Sequence, residues 1–296
     1  MLLAHFRLFP RELGIQRSLF RRSWMAAAAL VIGLAASLPA AHAGQLETAF
    51  TPNPAASAKT VDHSAWDKLL KTYVVADKDG LNRVAYQRFK SEGHQQLKAY
   101  LAMLQAVDVG QLGREEQYAF WANLYNAKTI DIVLDKYPVA SIKDIRLGGG
   151  LFAVVTGGAW KKKVVTVNAI ELSLDDIEHK ILRGLFKDAR VHYAVNCASV
   201  GCPNLRRDAF TGAALETQLE AGARDYINSP RGFVIKNGSV TASKIYSWFN
   251  ADFGGSARGA LAHAMKYAKP DLAAALKAAG DIDDYAYDWR LNDGNL

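Results

Sequence analysis

The chain has 296 residues, half of them hydrophobic, and 36 basic against 29 acidic side chains give it a net charge of +7. Five arginines and one glutamate within the first 43 residues account for +4 of that charge, so the rest of the chain carries only +3. No basic patch on that remainder argues for a nucleic-acid partner, and about 250 residues are enough for one domain with a sizeable core.

Residues 1–43 read as a cleavable signal peptide. Arg7, Arg11, Arg17, Arg21 and Arg22 precede the apolar run Met25 to Leu38, and Ala41-His42-Ala43 supplies the small residues of a cleavage site before Gly44. The run is short for a membrane span, with an uncleaved anchor as the alternative, and Arg21-Arg22 also fits a twin-arginine signal. No later stretch is long and apolar enough to span, so the mature protein is expected to be periplasmic or secreted, without a stable membrane span. Residues 44–62, with their Ala, Pro, Thr and Ser, are expected to form a disordered leader, and 63–296 a single domain.

Ser64 to Val75 is predicted helical, capped by Ser64, with Trp66, Leu69, Leu70 and Tyr73 as its apolar face. Asp77 to Gly80 is a turn with too few carboxylates for a calcium loop. Val84 to Tyr86 reads as a short strand and Gln95 to Val107 as a helix. Arg114 to Lys136 is the most informative helix. Phe120, Leu124, Ala127, Ile130 and Leu134 form an apolar stripe, yet Glu116 and Asn123 fall within it and Asn126 lies at its edge. An unpaired buried polar group costs roughly 1–3 kcal/mol, so these side chains either tie down a neighbouring loop or belong to a site.

Gly148 to Gly150 and Thr156 to Gly158 read as flexible hairpin sequence, without the strand–loop–helix order and lysine of a phosphate cradle. Lys161 to Lys163 read as a solvated strand end before a strand at Val164 to Val167. Ser173 is placed as the cap of a helix from Leu174 to Phe186, with Asp175 and Asp176 at its positive end. Leu174, Ile177, Ile181 and Leu185 make its stripe. Glu178 sits in the middle of that stripe, a candidate for a buried pair with Arg183 or Arg190, while His179 projects away and reads as a surface residue. Ala213 to Asn228 is amphipathic. Asn237-Gly238 signals a hairpin between Phe233–Ile235 and Val240–Ala242. Ser243 to Phe253 reads as a short aromatic helix with Lys244 at the surface, Leu261 to Ala279 as an Ala-rich helix, and Ile282 to Trp289 as a closing strand. Helix-rich first and strand-bearing later, the order is that of an α+β domain.

Arg190 to Leu205 holds the chain's two cysteines, Cys197 and Cys202, together with His192. Val191 to Asn196 has strand composition and Ser199, Gly201 and Pro203 that of a tight loop. In an exported chain a Cys197–Cys202 disulfide is the default, worth only ~2 kcal/mol because the loop is short. The other reading makes Cys197 a thiolate nucleophile or redox thiol with His192 as its base. Strand alternation sets His192 and Cys197 on opposite faces, so that dyad needs a bulge or strand end before Cys197. No cofactor or metal is expected, because the Cys-x4-Cys spacing is loose and no His pair has ligand spacing nearby.

Phe120-Trp-Ala-Asn-Leu-Tyr-Asn-Ala127, Leu174-Asp-Asp-Ile-Glu-His179 and His192-Tyr-Ala-Val-Asn-Cys197 with Cys202-Pro203 resemble the bacterial and plant family catalogued as domain of unknown function 547. Ser243 to Phe253 and Tyr287 to Asn292 are similar to it too, so the resemblance runs from about Trp66 to Asn292. It implies no settled activity, and glutaredoxin-fused relatives imply only an association with thiol chemistry. It marks Asn123, Asn126, Glu178, His192, Cys197 and Cys202, which coincide with the polar groups found on apolar stripes and in the His/Cys loop. The leading expectation is a thiol-dependent enzyme, by acyl or peptidyl transfer or by thiol–disulfide exchange. Cys197 would be the nucleophile or redox thiol, His192 the base and Glu178 or Asn123 the orienting group, with Cys202, Glu116 and Asn126 in support. The alternative is a non-catalytic periplasmic binding or envelope-interaction module with a structural disulfide. Metal-assisted hydrolysis would need His192 and two carboxylates to converge. The expected partner is an unidentified small molecule, peptide or envelope protein.

Overall fold

Helices carry most of the chain. The computed structural model describes residues 44–52, 59–147 and 158–294, so the predicted signal peptide and the glycine-rich segment 148–157 lie outside the described residues. Residues 46–296 make one compact unit. Its elements are α1 (Ser64–Tyr73), β1 (Val74–Ala76), β2 (Asn82–Val84), α2 (Tyr86–Glu92), α3 (His94–Gln105), α4 (Arg114–Lys136), β3 (Val165–Val167), β4 (Ile170–Leu172), α5 (Asp176–Phe186), α6 (Val191–Ala194), α7 (Leu215–Ile227), β5 (Phe233–Lys236), β6 (Ser239–Ser243), α8 (Lys244–Trp248), α9 (Ala257–Met265), α10 (Pro270–Ala279) and β7 (Asp284–Ala286). The class is mixed α and β, with three small sheets among the described residues. Two are hairpins, β1–β2 and β3–β4; the third has β6 antiparallel to β5 and parallel to β7.

Local chemistry explains most element ends. Asn237 and Gly238, both at positive φ, close β5–β6 with Lys236 opposite Ser239, the two-residue turn that Asn-Gly favours. Asn168 and Ala169 do the same between β3 and β4, so the predicted Val164–Val167 strand has a partner that composition did not announce. Pro270 opens α10 at its first position, which breaks the predicted Leu261–Ala279 helix in two. Trp66, Leu69, Leu70 and Tyr73 are the buried residues of α1, as their spacing predicts, although Ser64 is its first residue and His63 its cap.

Two elements depart from the sequence reading in ways that shape the site. In α4, 18 of 23 residues are buried, so this helix is enclosed on all sides instead of presenting one stripe. The α5 segment is a π-helix. Its buried apolar residues, Ile177, Ile181, Leu182 and Phe186, follow the wider turn, and Leu185 is only half-buried. Ser173 does cap the segment: its hydroxyl accepts from Asp176 N at 3.1 Å, while Asp176 Oδ2 accepts from Ser173 N at 2.9 Å. Asp176 is itself buried and ion-paired with Lys163 and Lys180.

The apolar side chains form two cores. The larger surrounds α4 and takes in Trp66, Phe89 and Trp121, along with Leu46 and Phe50 from a helical stretch inside the predicted leader. The smaller gathers Phe233, Tyr246, Phe253 and Leu276 around β5–β7 and α8–α10. Val191, Ala194, Val195 and Ala198 belong to the first core and Tyr193 to the second. The His/Cys segment is therefore the seam between them.

Candidate active site at the cysteine loop

The seam explains why Val191 to Asn196 is not the strand its composition predicts. Asp188 starts a turn, its Oδ1 accepting from Arg190 N at 2.8 Å and its carbonyl from Val191 N at 3.1 Å. Packing on both sides then favours the single helical turn α6 over β propensity. The chain becomes extended at Val195. This removes the alternation problem: His192 and Cys197 both line one cavity.

Side-chain amides hold the loop that follows. Asn126 Oδ1 accepts from Asn196 N at 2.8 Å and its Nδ2 donates to Ala194 O at 2.9 Å. Asn196 in turn accepts from Ala198 N at 2.8 Å and donates to Pro203 O at 2.7 Å. Ala198 has φ near +62°, a conformation costing a residue with a Cβ about 1–2 kcal/mol. The Asn196 oxygen secures it. Gly201 passes so close to the closing segment that a Cβ there would lie 2.8 Å from Asp288 N.

Within this frame Cys197 and Cys202 form a disulfide with Cα atoms 6.3 Å apart. Cys197 is partly exposed and Cys202 is buried. The backbone N–H of Cys197 donates to Cys202 Sγ at 3.0 Å. The Ser199 hydroxyl lies 3.3 Å from Cys197 Sγ and 3.2 Å from Cys202 Sγ, and the Tyr287 hydroxyl 3.1 and 3.2 Å from the same atoms. Burial raises the Tyr287 pKa well above the ordinary phenol range, so this hydroxyl keeps its proton and can donate.

The opposite side of the cavity carries the ionisable groups. Tyr125 OH donates to Glu178 Oε2 at 2.8 Å. The arginines expected to pair with Glu178 bind elsewhere, Arg183 to Asp252 and Arg190 to Asp188 and Glu216. His179 is not simply a surface residue: it lines the cavity and its Nδ1 lies 3.2 Å from Arg183 Nη1. His192 is 3 % exposed, stacks on Phe249 at 4.2 Å, and places Nε2 2.7 Å from Asp252 Oδ2. Asp252 also receives Arg183 Nε at 2.6 Å and Nη2 at 3.1 Å. Burial pushes the His192 pKa below its usual value, against the raising effect of Asp252. The hydrogen bond from His192, reinforced by Arg183, holds the Asp252 carboxyl well below the normal carboxylate range. A carboxylate only accepts, so Nε2 carries the proton and Nδ1 is the ring's basic nitrogen.

The cavity encloses about 200 Å³. Of the residues singled out in the sequence, Glu178, His192, Cys197 and Cys202 line it together. Asn126 lies behind it and holds the loop. Asn123 forms a two-way bond with the Phe210 backbone, at 2.8 and 3.0 Å, and Glu116 accepts from Val61 N and Gly212 N at 2.8 and 2.9 Å. Asp252, Tyr125, Ser199, Tyr287 and the indoles of Trp160, Trp248 and Trp289 were not singled out. The local signals were the aromatic content of Ser243–Phe253, the tight-loop composition at Ser199 and the family-like stretches Phe120–Ala127 and Tyr287–Asn292. Among the described residues, one His/carboxylate group clusters at metal-ligand spacing, His94, Asp131 and Asp135. Lys98 and Lys128 already bind Asp131 there, at 2.9 and 2.7 Å.

Residues 109–227 match the family model described as protein of unknown function, DUF547, and the chain resembles that family. The match spans α4 through α7 and includes both cysteines, His192 and Glu178; Asp252, Tyr287 and the Trp248–Trp289 wall lie beyond it. No curated protein and no solved structure matches the chain.

Proposed function

We propose that this is an exported thiol–disulfide exchange protein whose reactive bond is Cys197–Cys202. The observation that carries the reading is the asymmetry of the two sulfurs. Both cysteines line the cavity, but Cys197 is partly exposed, whereas Cys202 is buried and its Sγ already accepts a backbone N–H at 3.0 Å. An incoming thiolate would attack Cys197 Sγ and form a mixed disulfide. The Cys197–Cys202 bond would break and Cys202 would leave with the electron pair. The Cys197 N–H and the hydroxyls of Ser199 and Tyr287 would stabilise that leaving thiolate. A second thiol would then resolve the mixed disulfide, so that two thiols become one disulfide and the protein holds two thiols. Neutral His192, oriented by Asp252, would accept the proton of the incoming thiol. Glu178, hydrogen-bonded to Tyr125, would set the charge of the cavity. Export rests on the basic and apolar pattern of residues 1–43 and on a compartment in which a disulfide persists, which makes periplasmic or secreted the proposed location.

The test equilibrates native protein in glutathione buffers and reads the dithiol fraction by alkylation and intact mass. Exchange activity predicts reversible reduction without denaturant at a potential above about −300 mV, and a glutathione adduct on Cys197 in Cys202→Ser. A bond that reduces only when the protein unfolds would sink the proposal and leave a binding module with a structural disulfide.

A further inference from the structure

We propose that the cavity beside the disulfide is a receptor for an organic cation, an ammonium or guanidinium group, carried by the molecule whose thiol reacts there. The second half of this statement rests on the exchange reading; the cation site itself does not. The cavity joins aromatic walls to negative charge, and none of the described residues that line it is a lysine or an arginine. Its mouth is a cluster of three rings, Trp248 with Tyr287 at 4.8 Å, Trp248 with Trp289 at 5.5 Å and Tyr287 with Trp289 at 4.8 Å. Trp248 is 45 % exposed, so part of its ring is open to a ligand. Tyr287 is held protonated by burial, so its ring stays neutral and its face electron-rich.

The floor supplies the charge. Asp175 and Glu178 both line the cavity. Among the described residues their ion-pairing partner is His179 alone, 3.6 Å from Asp175 and 3.9 Å from Glu178. The second carboxylate oxygen of Glu178 is taken by the Tyr125 hydroxyl. Arg183, the nearby arginine, is already bound bidentately to Asp252. A buried carboxylate, Glu178, and a second, one-third-exposed one, Asp175, beside aromatic faces suit a poorly hydrated organic cation. The rings of this cavity already show the preference: the Arg183 guanidinium lies 4.7 Å from the Phe249 ring centre and the Lys143 ammonium 5.1 Å from that of Trp289. An anionic thiol would meet two carboxylates at the same floor and be repelled.

Two measurements on the full oxidised chain separate the cation site from the exchange chemistry. The first titrates choline and its neutral isostere 3,3-dimethyl-1-butanol, read by tryptophan fluorescence from the indoles in the cavity. Choline is expected to saturate the signal and to bind about tenfold more tightly than the alcohol. The second compares rates of disulfide reduction by cysteamine, 2-mercaptoethanol and mercaptoacetate at equal thiolate concentration and low salt. The expected order is cationic, neutral, anionic, with about tenfold between the first two. Glu178→Gln, which keeps an acceptor for Tyr125, and Trp248→Leu, at an exposed position, should each reduce both preferences. Choline binding without reduction by any thiol would keep the cation site and overturn the exchange reading. Reduction without charge preference, and with choline and the alcohol bound equally, would overturn the cation site and keep exchange.

Discussion

His192 Nε2 and Asp252 Oδ2 lie 2.7 Å apart across 60 residues of sequence, and Arg183 donates to both oxygens of the same carboxylate. The carboxylate fixes the imidazole tautomer, while burial keeps the ring neutral. Asp252→Asn removes the largest interaction that raises the His192 pKa and leaves the burial that lowers it. The expected result is a His192 pKa below that of the wild type, read by NMR titration of the ring carbons, with roughly 1–3 kcal/mol lost in denaturant unfolding. A His192 pKa that rises in Asp252→Asn would contradict this account of the pair.

The closing segment reaches the cysteine loop only because residue 201 is glycine. Gly201 N donates to Asp288 O at 2.8 Å, and an added Cβ would meet Asp288 N at 2.8 Å and Asp288 O at 3.0 Å. Both are backbone atoms that cannot rotate away. Gly201→Ala is therefore expected to cost about 1–3 kcal/mol. It should also displace the Tyr287 hydroxyl from the two sulfurs, speeding alkylation of Cys197 in the reduced protein less than alkylation of Cys202, which loses its cover.

Glu116 joins two distant loops, one at Val61 and one at Gly212, by accepting a backbone N–H with each oxygen. It does not line the disulfide cavity. Glu116→Gln keeps one acceptor and turns an NH2 group toward the other N–H. A loss of about 1–2 kcal/mol in unfolding free energy is expected, with thiol exchange rates unchanged in the folded protein. A selective loss of exchange at wild-type stability would place Glu116 in the reactive machinery instead.

The elements legible in the sequence are those decided locally. Asn237-Gly238 specifies its own turn, and the spacing of Trp66, Leu69, Leu70 and Tyr73 specifies a buried helix face. The polar residues on apolar stripes were legible as anomalies, because a buried Asn123 or Asn126 requires partners wherever they come from. Those partners were not legible. Phe210 and Asn196 are backbone acceptors and donors with no compositional mark. The α6 turn escaped because Val191 to Val195 has strand propensity and only packing between two cores overrides it. Glu178 was rightly placed in the interior, but its partner is a tyrosine 53 residues earlier and not an arginine nearby. The wider turn of α5 also shifts its buried face off a 100° pattern. Asp252 carries no periodic signal, since it sits in a 3₁₀ turn, Asn250–Phe253, after a five-residue helix.

A last consequence concerns acid stability. His63 is 4 % exposed and its Nδ1 lies 2.7 Å from the Tyr100 hydroxyl. Burial lowers its pKa from 6.5 to about 4, against a raising effect of Asp62. In the unfolded chain the ring takes up a proton below pH 6.5, whereas in the folded protein it resists until about pH 4. The unfolded state thus binds more protons across that interval, and stability falls as pH drops through it. Above pH 6.5 His63 adds no pH dependence, and below pH 4 its contribution is constant. The loss over the window is on the order of 3 kcal/mol. The depressed carboxyls of Asp176 and Asp252 add further loss in the same direction, at lower pH. Unfolding free energies of wild type and His63→Gln, measured by denaturant titration from pH 7 to 4, should diverge in slope by about one proton. Parallel curves would mean that His63 is protonated in the folded protein too.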